Sequence, residues 1–189
     1  MNPHNPFKES IIEFITGCGE DPESETFKDT PERFYKGLQE LCGGYKSEFQ
    51  YFCKVFPNEY KYNSLILSKN IEFHSLCGHH VLPFYGYAHI GYIPGSQIYG
   101  LSKLAKAVDI FSKRLQEQEK LTTEIAEILM NSADIQGVVV LMEGRHLCSC
   151  GRGVKKPQSS MMTICQKGSL TEEKNLRLFM DLVEDRLHL

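Results

Sequence analysis

Apolar residues recur every three or four positions near the N-terminus and predict two short helices. The first covers residues 7–15, and the glycines at 17 and 19 supply its stop. The second is expected to have Thr30 as its N-cap and Pro31 in its first turn. Its apolar stripe consists of Phe34, Leu38 and Leu41.

The same spacing predicts three further helices later in the chain. Ser102 is expected to cap one, Thr122 or Thr123 to begin the next, and Ser169 with Glu172 to form a capping box for the last. The residues expected to face inward are Leu104, Ala105, Val108, Phe111 and Leu115, then Ile125, Ala126 and Leu129, then Leu176, Phe179, Leu182, Val183 and Leu187.

Short apolar and β-branched runs predict the strands. Residues 65–67 and 71–74 are interpreted as two extended segments, and residues 84–93 as a strand that precedes a Pro94-Gly95 turn. Residues 137–142 form a buried strand with residues 161–165 as its neighbour, whereas residues 47–64 show no regular pattern. This order favours an α+β fold, with an antiparallel sheet and its helices on one side. We expect an N-terminal helical segment over 1–45 and the main domain over 46–189.

Composition and charge narrow the class of protein. The chain has 189 residues, 41% of them apolar and 24% charged, which is typical of a globular domain. A net charge of -3 gives no general attraction for nucleic acid or an anionic membrane. Seven cysteines are an odd number, which favours reduced thiols and a metal over a disulfide framework. No apolar run reaches membrane-spanning length, so the expected location is the cytoplasm.

One short motif concentrates metal-binding chemistry. Cys77 and His80 stand in a Cys-x-x-His spacing, which lets a thiolate and an imidazole reach one zinc ion from a single turn. His79 would then lie beside the metal and could carry protons near neutral pH. The alternative is a buried small cysteine followed by two loop histidines.

A second set of donors follows the strand at residues 137–142. If the chain stays extended there, His146, Cys148 and Cys150 share one face. Two thiolates two residues apart on a strand converge on one zinc ion only with a bend, so a site of Cys77, His80 and one of these cysteines is preferred, with a fourth position left for water. A closed site of Cys77, His80, Cys148 and Cys150 remains the competitor.

Cations and a carboxylate suggest an anionic, purine-like ligand. Lys103, Lys106 and Arg152 could bind a triphosphate together with Arg33 and Lys36, two cations that share a helix face. Glu119, next to Gln118, could accept two hydrogen bonds from a guanine-like edge. The alternative for each of these residues is an ordinary solvated surface side chain.

Five ordered motifs together resemble the GTP cyclohydrolase I family, and the likeness extends from about residue 11 to residue 167. The motifs are Asp29-Thr30-Pro31-Glu32-Arg33, Cys77-Gly78-His79-His80-Val81-Leu82-Pro83-Phe84-Tyr85-Gly86, Gly100-Leu101-Ser102-Lys103-Leu104-Ala105, Leu115-Gln116-Glu117-Gln118-Glu119-Lys120-Leu121-Thr122, and His146-Leu147-Cys148 through Arg152-Gly153-Val154.

The resemblance implies a tunnelling fold, in which the sheets of several subunits join into a barrel, for residues 46–189. It also implies a homo-oligomer, a decamer of two stacked pentamers, with active sites at subunit interfaces. The roles that it implies are Zn²⁺ ligands for Cys77, His80 and Cys148, proton transfer for His79 and His146, guanine recognition for Gln118 and Glu119, and triphosphate binding for Ser102, Lys103, Lys106, Arg152, Arg33 and Lys36, the last two from a neighbouring subunit.

The activity implied is hydrolysis of GTP to 7,8-dihydroneopterin triphosphate and formate, at the entry to folate, pterin or deazapurine biosynthesis. Two residues depart from the family pattern. Gly78 replaces a common Glu, which removes a carboxylate beside the metal, and Lys106 replaces a common Arg, which loses bidentate phosphate contact. The alternatives are a non-catalytic purine- or pterin-binding relative, and a tunnelling-fold enzyme that acts on another purine-like substrate.

Overall fold

A computed structural model describes residues 5–184, and the chain divides into two compact units, Met1–Cys42 and Gly43–Leu189. The first unit is a pair of helices, α1 (Pro6–Gly17) and α2 (Thr30–Leu41). The Asn5 side chain caps α1 by accepting a hydrogen bond from the Phe7 amide at 3.1 Å, and the Phe7 ring stacks on Phe34 at 5.9 Å. Asp29, not Thr30, occupies the N-cap position of α2.

The second unit begins with irregular chain and then forms a five-stranded sheet with helices. Its elements are β1 (Val55–Pro57), β2 (Ile66–Cys77), β3 (Pro83–Pro94), β4 (Gln97–Tyr99), α3 (Leu101–Ser112), β5 (Leu115–Gln116), α4 (Gln118–Ser132), β6 (Ile135–His146), α5 (Leu147–Cys150), β7 (Met161–Gly168) and α6 (Glu173–Glu184). β1 and β4 pair with each other, and the larger sheet has the strand order β5-β2-β3-β6-β7. The predicted α+β class with an antiparallel sheet is confirmed.

Strand register places the ends of three long strands side by side. β2, β3, β6 and β7 pair antiparallel, whereas the two-residue β5 pairs parallel with the end of β2, Cys77 opposite Gln116. The two segments predicted at 65–67 and 71–74 belong to one strand. An irregularity between Ser68 and Ile71, where Asn70 has a positive φ of 55°, interrupts the alternation and explains the apparent break in the sequence.

Two helices cover one face of the sheet and create the main core. Along β6, Val138, Val140 and Met142 face α3 and α4, which is the period-two pattern of a strand with two apolar faces. The alternate residues Val139 and Leu141 lie on the other face, where they pack with Phe179 of α6. The core therefore fixes the C-terminal ends of β2 and β6, where the candidate ligands lie.

Several predicted helix starts are wrong. Gly100, not Ser102, is the N-cap of α3, and Ala107 and Ile110 are buried where Ala105 and Leu115 were expected. α4 begins at Gln118, four residues before the predicted Thr122. In each case the prediction favoured a hydroxyl residue as the start, whereas the helix begins earlier, after an N-cap residue that makes no side-chain capping hydrogen bond.

The predicted capping box before α6 is also wrong. Ser169 lies in a 3₁₀ turn, and its hydroxyl is buried with no hydrogen-bond partner among the described residues. The Asn175 amide instead donates to the Ser169 carbonyl at 2.8 Å. The inward positions Leu176, Phe179, Leu182 and Val183 fall on α6, and Leu187 lies outside the described residues. Across residues 5–184, no helix combines the length and apolar character needed to span a membrane.

Candidate metal centre and active site

Two of the predicted ligands come from the tight turn between β2 and β3. The Val81 amide donates to the Cys77 carbonyl at 2.8 Å, and the Cys77 amide donates to the Leu82 carbonyl at 2.9 Å. Val81 closes the turn with a positive φ of 53°. The turn holds the Cys77 thiol 3.7 Å from Nδ1 of His80. Backbone hydrogen bonding therefore presents a thiol and an imidazole side by side.

Cys148 completes a three-residue group from the end of β6. It lies on the single helical turn α5, and the ligand atoms of Cys77, His80 and Cys148 all lie within 4.8 Å of one another. Tetrahedral zinc with Zn–S of about 2.3 Å and Zn–N of about 2.0 Å needs ligand atoms roughly 3.5–3.8 Å apart, so a small closure suffices. Two thiols and an imidazole are also a donor set that suits zinc. The group can hold a metal ion.

The chain does not stay extended to Cys150, so the shared strand face predicted for residues 146–150 is wrong. β6 ends at His146, and α5 follows, with the Gly151 amide donating to the Leu147 carbonyl at 3.0 Å. Residues two apart on a helical turn point in nearly opposite directions, whereas on a strand they share a face. Among residues 5–184, the candidate metal group contains Cys148 and not Cys150.

Burial favours the protonated form of one thiol. The pKa of Cys148 is raised above its ordinary value by burial and by the neighbouring Cys77 thiol, with a smaller opposing effect from Arg152. A cation bound by this group would reverse the preference of Cys148, because it would stabilise the thiolate and displace the proton.

His146 is held firmly on two sides. Its ring stacks on Phe84 with centroids 4.5 Å apart and planes 4° from parallel, and its Nε2 lies 3.0 Å from Oε1 of Gln118. Since that amide oxygen only accepts, Nε2 of His146 carries the proton. Burial lowers the pKa of His146, and the charge of Glu119 partly opposes this.

The Gln118 amide, predicted to contact guanine, is engaged within the subunit. Its side chain is 1% exposed, and Nε2 lies within 3.2 Å of the Met142 carbonyl, the Met161 carbonyl and the Thr163 hydroxyl. Glu119 is exposed beside it on the first turn of α4. Thr163 is a partner of Gln118 that sequence reasoning missed, because β7 brings its hydroxyl to this amide only through strand pairing.

The side chain of His79 points outward from the turn. It is 68% exposed, its ring centroid lies 6.3 Å from that of His80, and its Nε2 lies 3.4 Å from Oε1 of Glu117. Glu117 was also missed from the sequence, where it stands among charged and amide residues with no distinguishing spacing. The turn thus presents His80 to the metal group and His79 to a carboxylate.

The predicted phosphate-binding cations lie in three places. Ser102, Lys103 and Lys106 are on α3, and Arg152 follows α5 as an exposed residue. Lys106 lies 3.4 Å from Asp109 and 4.9 Å from the centre of the Phe52 ring. In the first unit, Arg33 and Lys36 pair with acids one turn earlier, Arg33 with Asp29 at 2.9 Å and Lys36 with Glu32 at 3.2 Å. Within the described part of the second unit, no hydrogen bond or ion pair joins Ser102, Lys103, Lys106 or Arg152 to the metal group.

Comparison with known proteins identifies the family. The family model for GTP cyclohydrolase I matches residues 7–184. A Coxiella burnetii protein named GTP cyclohydrolase 1 is 38% identical over 180 residues, covering 95% of this chain and 98% of that protein. Proteins of the same name from Clostridium perfringens and Campylobacter lari are each 40% identical over 178 residues, and each match covers 94% of this chain. The matches cover 95% of the Clostridium perfringens protein and 94% of the Campylobacter lari protein.

A solved structure shows a partial likeness. The apo form of an archaeosine synthase QueF-Like gives a TM-score of 0.46 at 17% identity and covers 56% of this chain and 95% of its own. The sequence matches span nearly the whole chain and agree in the name that they carry. The chain belongs to the GTP cyclohydrolase I family.

Proposed function

We propose that this protein is a zinc-dependent GTP cyclohydrolase I that converts GTP to 7,8-dihydroneopterin triphosphate and formate. One observation carries the proposal: in a member of this family, residues far apart in the chain form a Cys77-His80-Cys148 group. His79 lies in the same turn as His80, and His146 is two residues before Cys148. The product would enter folate, pterin or deazapurine biosynthesis.

Cys77, His80 and Cys148 would hold the zinc ion. Bound there, zinc supplies Lewis acidity and an activated water at neutral pH. His79 and His146 would transfer protons while the imidazole ring of guanine opens and formate leaves. Because Nε2 of His146 is committed to Gln118, Nδ1 is the nitrogen left to exchange a proton with the substrate.

Base and phosphate recognition are assigned to separate groups. Glu119 is free to accept hydrogen bonds from the guanine edge, and Gln118 next to it would contribute to the same pocket. Ser102, Lys103, Lys106 and Arg152 would bind the triphosphate, with Arg33 and Lys36 supplied by a neighbouring subunit. Contacts to phosphates remote from the reacting carbon would hold the base in place.

An oligomer with joined sheets is supported by the two edges of the sheet. β5 covers β2 only at Leu76 and Cys77, and β7 forms the other edge, where Met162 and Ile164 are 58% and 44% exposed. Long uncovered edges with apolar side chains favour pairing with further strands. We propose that residues 46–189 build a tunnelling-fold barrel as two stacked pentamers, preceded by the helical segment 1–45. Seven free cysteines support a reducing compartment, the cytoplasm.

The deciding experiment is to incubate the zinc-loaded protein with GTP and follow formate together with the fluorescent oxidised pterin. Equal amounts of both products support the proposal. Formate without pterin would mean that ring opening survives and ring closure fails. If neither forms while zinc and GTP bind, the chain is a binding relative or acts on another purine-like substrate, which a substrate screen would then identify.

The histidine roles give a first prediction. His79→Ala or His146→Ala should each lower turnover by at least about a hundredfold, because each removes a proton-transfer group, while zinc content stays near one ion per chain. Turnover and zinc content, measured by metal analysis, check both halves. Loss of zinc from both variants would show that the roles are assigned to the wrong residues.

A further inference from the structure

A carboxylate lies beside His79 although the sequence around the metal turn contains none. Oε1 of Glu117 is 3.4 Å from Nε2 of His79, and the two side chains are 55% and 68% exposed. An exposed contact of this kind adds little to folding stability. Its importance must therefore be sought in the orientation of the histidine.

The backbone of Glu117 is fixed by structure on both sides. It follows β5, which pairs with the end of β2, and it is the N-cap of α4, whose Leu121 amide donates to the Glu117 carbonyl at 2.9 Å. The Glu117 side chain makes no capping hydrogen bond to α4. The carboxylate is thus held near the metal turn and remains available to His79.

Position 78, next to the candidate ligand Cys77, lies close to Glu117 and carries no side chain. The Gly78 amide donates to the Gln116 carbonyl at 2.9 Å. Gly78 and Glu117 are thereby neighbours across the β2–β5 pair. A Cβ at position 78 would meet only the Gln116 carbonyl group, at ordinary contact distances of 3.7 and 3.9 Å, so a side chain fits there.

We propose that Glu117 supplies a carboxylate that positions His79 beside the metal group for the reaction. This inference rests on the proposed function. Glu117 is a positioning residue, since its contact is with His79 and not with the metal group. The carboxylate thus comes from the residue that joins β5 to α4, not from the turn itself.

The first test neutralises the carboxylate. Glu117→Gln should lower kcat about tenfold or more, the usual cost of losing such an outer partner, with KM for GTP and zinc affinity changed less than about threefold. Glu117→Asp should recover part of the loss. Glu127→Gln is the matched control, because Glu127 is exposed on the same helix and pairs with Lys167. An unchanged kcat in Glu117→Gln would overturn the proposal.

The second test moves the carboxylate. In the Glu117→Gln background, Gly78→Glu should restore kcat to within about threefold of wild type, because the two positions adjoin the same histidine; such coupling is what a double-mutant cycle measures. Failure of Gly78→Glu to raise kcat, with the variant folded and zinc-loaded, would contradict a shared role.

A readout independent of turnover completes the design. In the zinc-free protein with ¹⁵N-labelled histidine, Glu117→Gln should shift the ring signals of His79, assigned by their loss in His79→Asn, and leave those of His89 unchanged. Unmoved His79 signals would overturn the inference. Absence of cyclohydrolase activity in the wild type would refute the proposed function instead, and the ring spectra would still decide whether Glu117 holds His79.

Discussion

Gln118, which the sequence suggested as a contact to the guanine base, makes its hydrogen bonds within the subunit, one of them to His146. The Gln118 amide spans β6, β7 and the His146 ring through one buried side chain. Its oxygen fixes the proton of His146 on Nε2, and the stacked Phe84 fixes the ring plane. The orientation of a proposed proton donor therefore depends on an amide that faces away from solvent.

Gln118→Met separates the two roles open to this residue. If the amide mainly orients His146, kcat should fall by roughly tenfold to a hundredfold while KM for GTP changes little. If the amide mainly binds guanine, KM should rise and kcat should persist. Steady-state kinetics distinguish these results, and Glu119→Gln provides the comparison, with an expected rise in KM.

A second variant tests the same role of Gln118 in case Gln118→Met does not fold. A Cβ at Gly144 would lie 2.4 Å from Oε1 of Gln118, so Gly144→Ala should displace the amide without changing its chemistry. The same fall in kcat is expected. Normal kcat in a folded Gly144→Ala protein would count against an orienting amide.

The cysteines after β6 differ by two positions and have different expected roles. Cys148→Ser should lose most zinc binding and turnover, because a hydroxyl is a poor replacement for a thiolate on zinc, whereas Cys150→Ser should keep both within about twofold. Zinc affinity by competition with a chelator measures the contrast. An equal loss of zinc affinity in both variants would instead support the closed site, in which Cys77, His80, Cys148 and Cys150 are all ligands.

At the scale of elements, the sequence predicted the existence of helices and strands more accurately than the residues at which they begin. The sequence indicated the strand at 137–142 and the buried helix face of Ile125, Ala126 and Leu129. Each is recognisable because residues that face the core are apolar, so apolar residues recur along the sequence in a regular pattern or form a continuous run. The start of α4 was missed, because Gln118 is polar and is buried only through its partners on β6 and β7. A buried polar side chain such as that of Gln118 cannot be recognised from the pattern of hydrophobic residues.

β3 carries a histidine whose titration affects stability. Burial and the charge of Lys69 on β2 lower the pKa of His89, and Glu143 on β6 opposes this. The folded protein therefore favours neutral His89, while the unfolded chain binds a proton below its ordinary pKa of about 6.5. The resulting stability is complete above that pH and is lost as pH falls through the depressed folded pKa.

The expected result is a urea midpoint that decreases between pH 7 and pH 5, with a smaller decrease in His89→Gln. Zinc-free protein should be used, so that acid release of metal does not contribute. Both proteins should show nearly constant midpoints between pH 7.5 and 8.5. Equal acid sensitivity in the two proteins would show that His89 is not the cause.

For the whole molecule, the sequence identified the candidate ligands, and the structure shows that they lie together. Local spacing pointed to Cys77 and His80, and the family likeness pointed to Cys148 as the third candidate. The turn α5 was not predictable, because Leu147–Cys150 lacks a helical pattern and folds at the end of a strand. Glu117 was hidden for a similar reason, since its position next to the metal turn arises from the β2–β5 pairing.

The proposed sharing of active sites between subunits gives a prediction for the assembly. If Arg33 and Lys36 act on a neighbouring subunit's site, then a protein with both changed to Ala and a His79→Ala protein should each be weak or inactive alone. Mixed assemblies should regain about a quarter of wild-type activity, because one site in four combines two intact contributions in a closed ring. Subunit exchange, confirmed by mass, is measured together with turnover.

Light scattering should accompany that experiment. Ten chains of 21.6 kDa give a particle of about 216 kDa. No recovery of activity in assemblies shown to be mixed would place Arg33 and Lys36 in their own subunit's site, and an active particle of one chain would contradict the oligomer altogether.

The separation of the metal ligands along the chain sets an order of events during synthesis. Cys77 and His80 precede Cys148 by up to 71 residues, the difference between positions 77 and 148. At roughly 5–20 residues per second, the ribosome needs about 4–14 seconds to make that stretch. A nascent chain thus offers a thiol and an imidazole long before the third donor exists. If the three residues hold zinc as proposed, the complete site forms only after β6 has been added to the sheet. Growth under zinc limitation should then yield chains with a completed sheet and an empty centre, not chains arrested at the first turn.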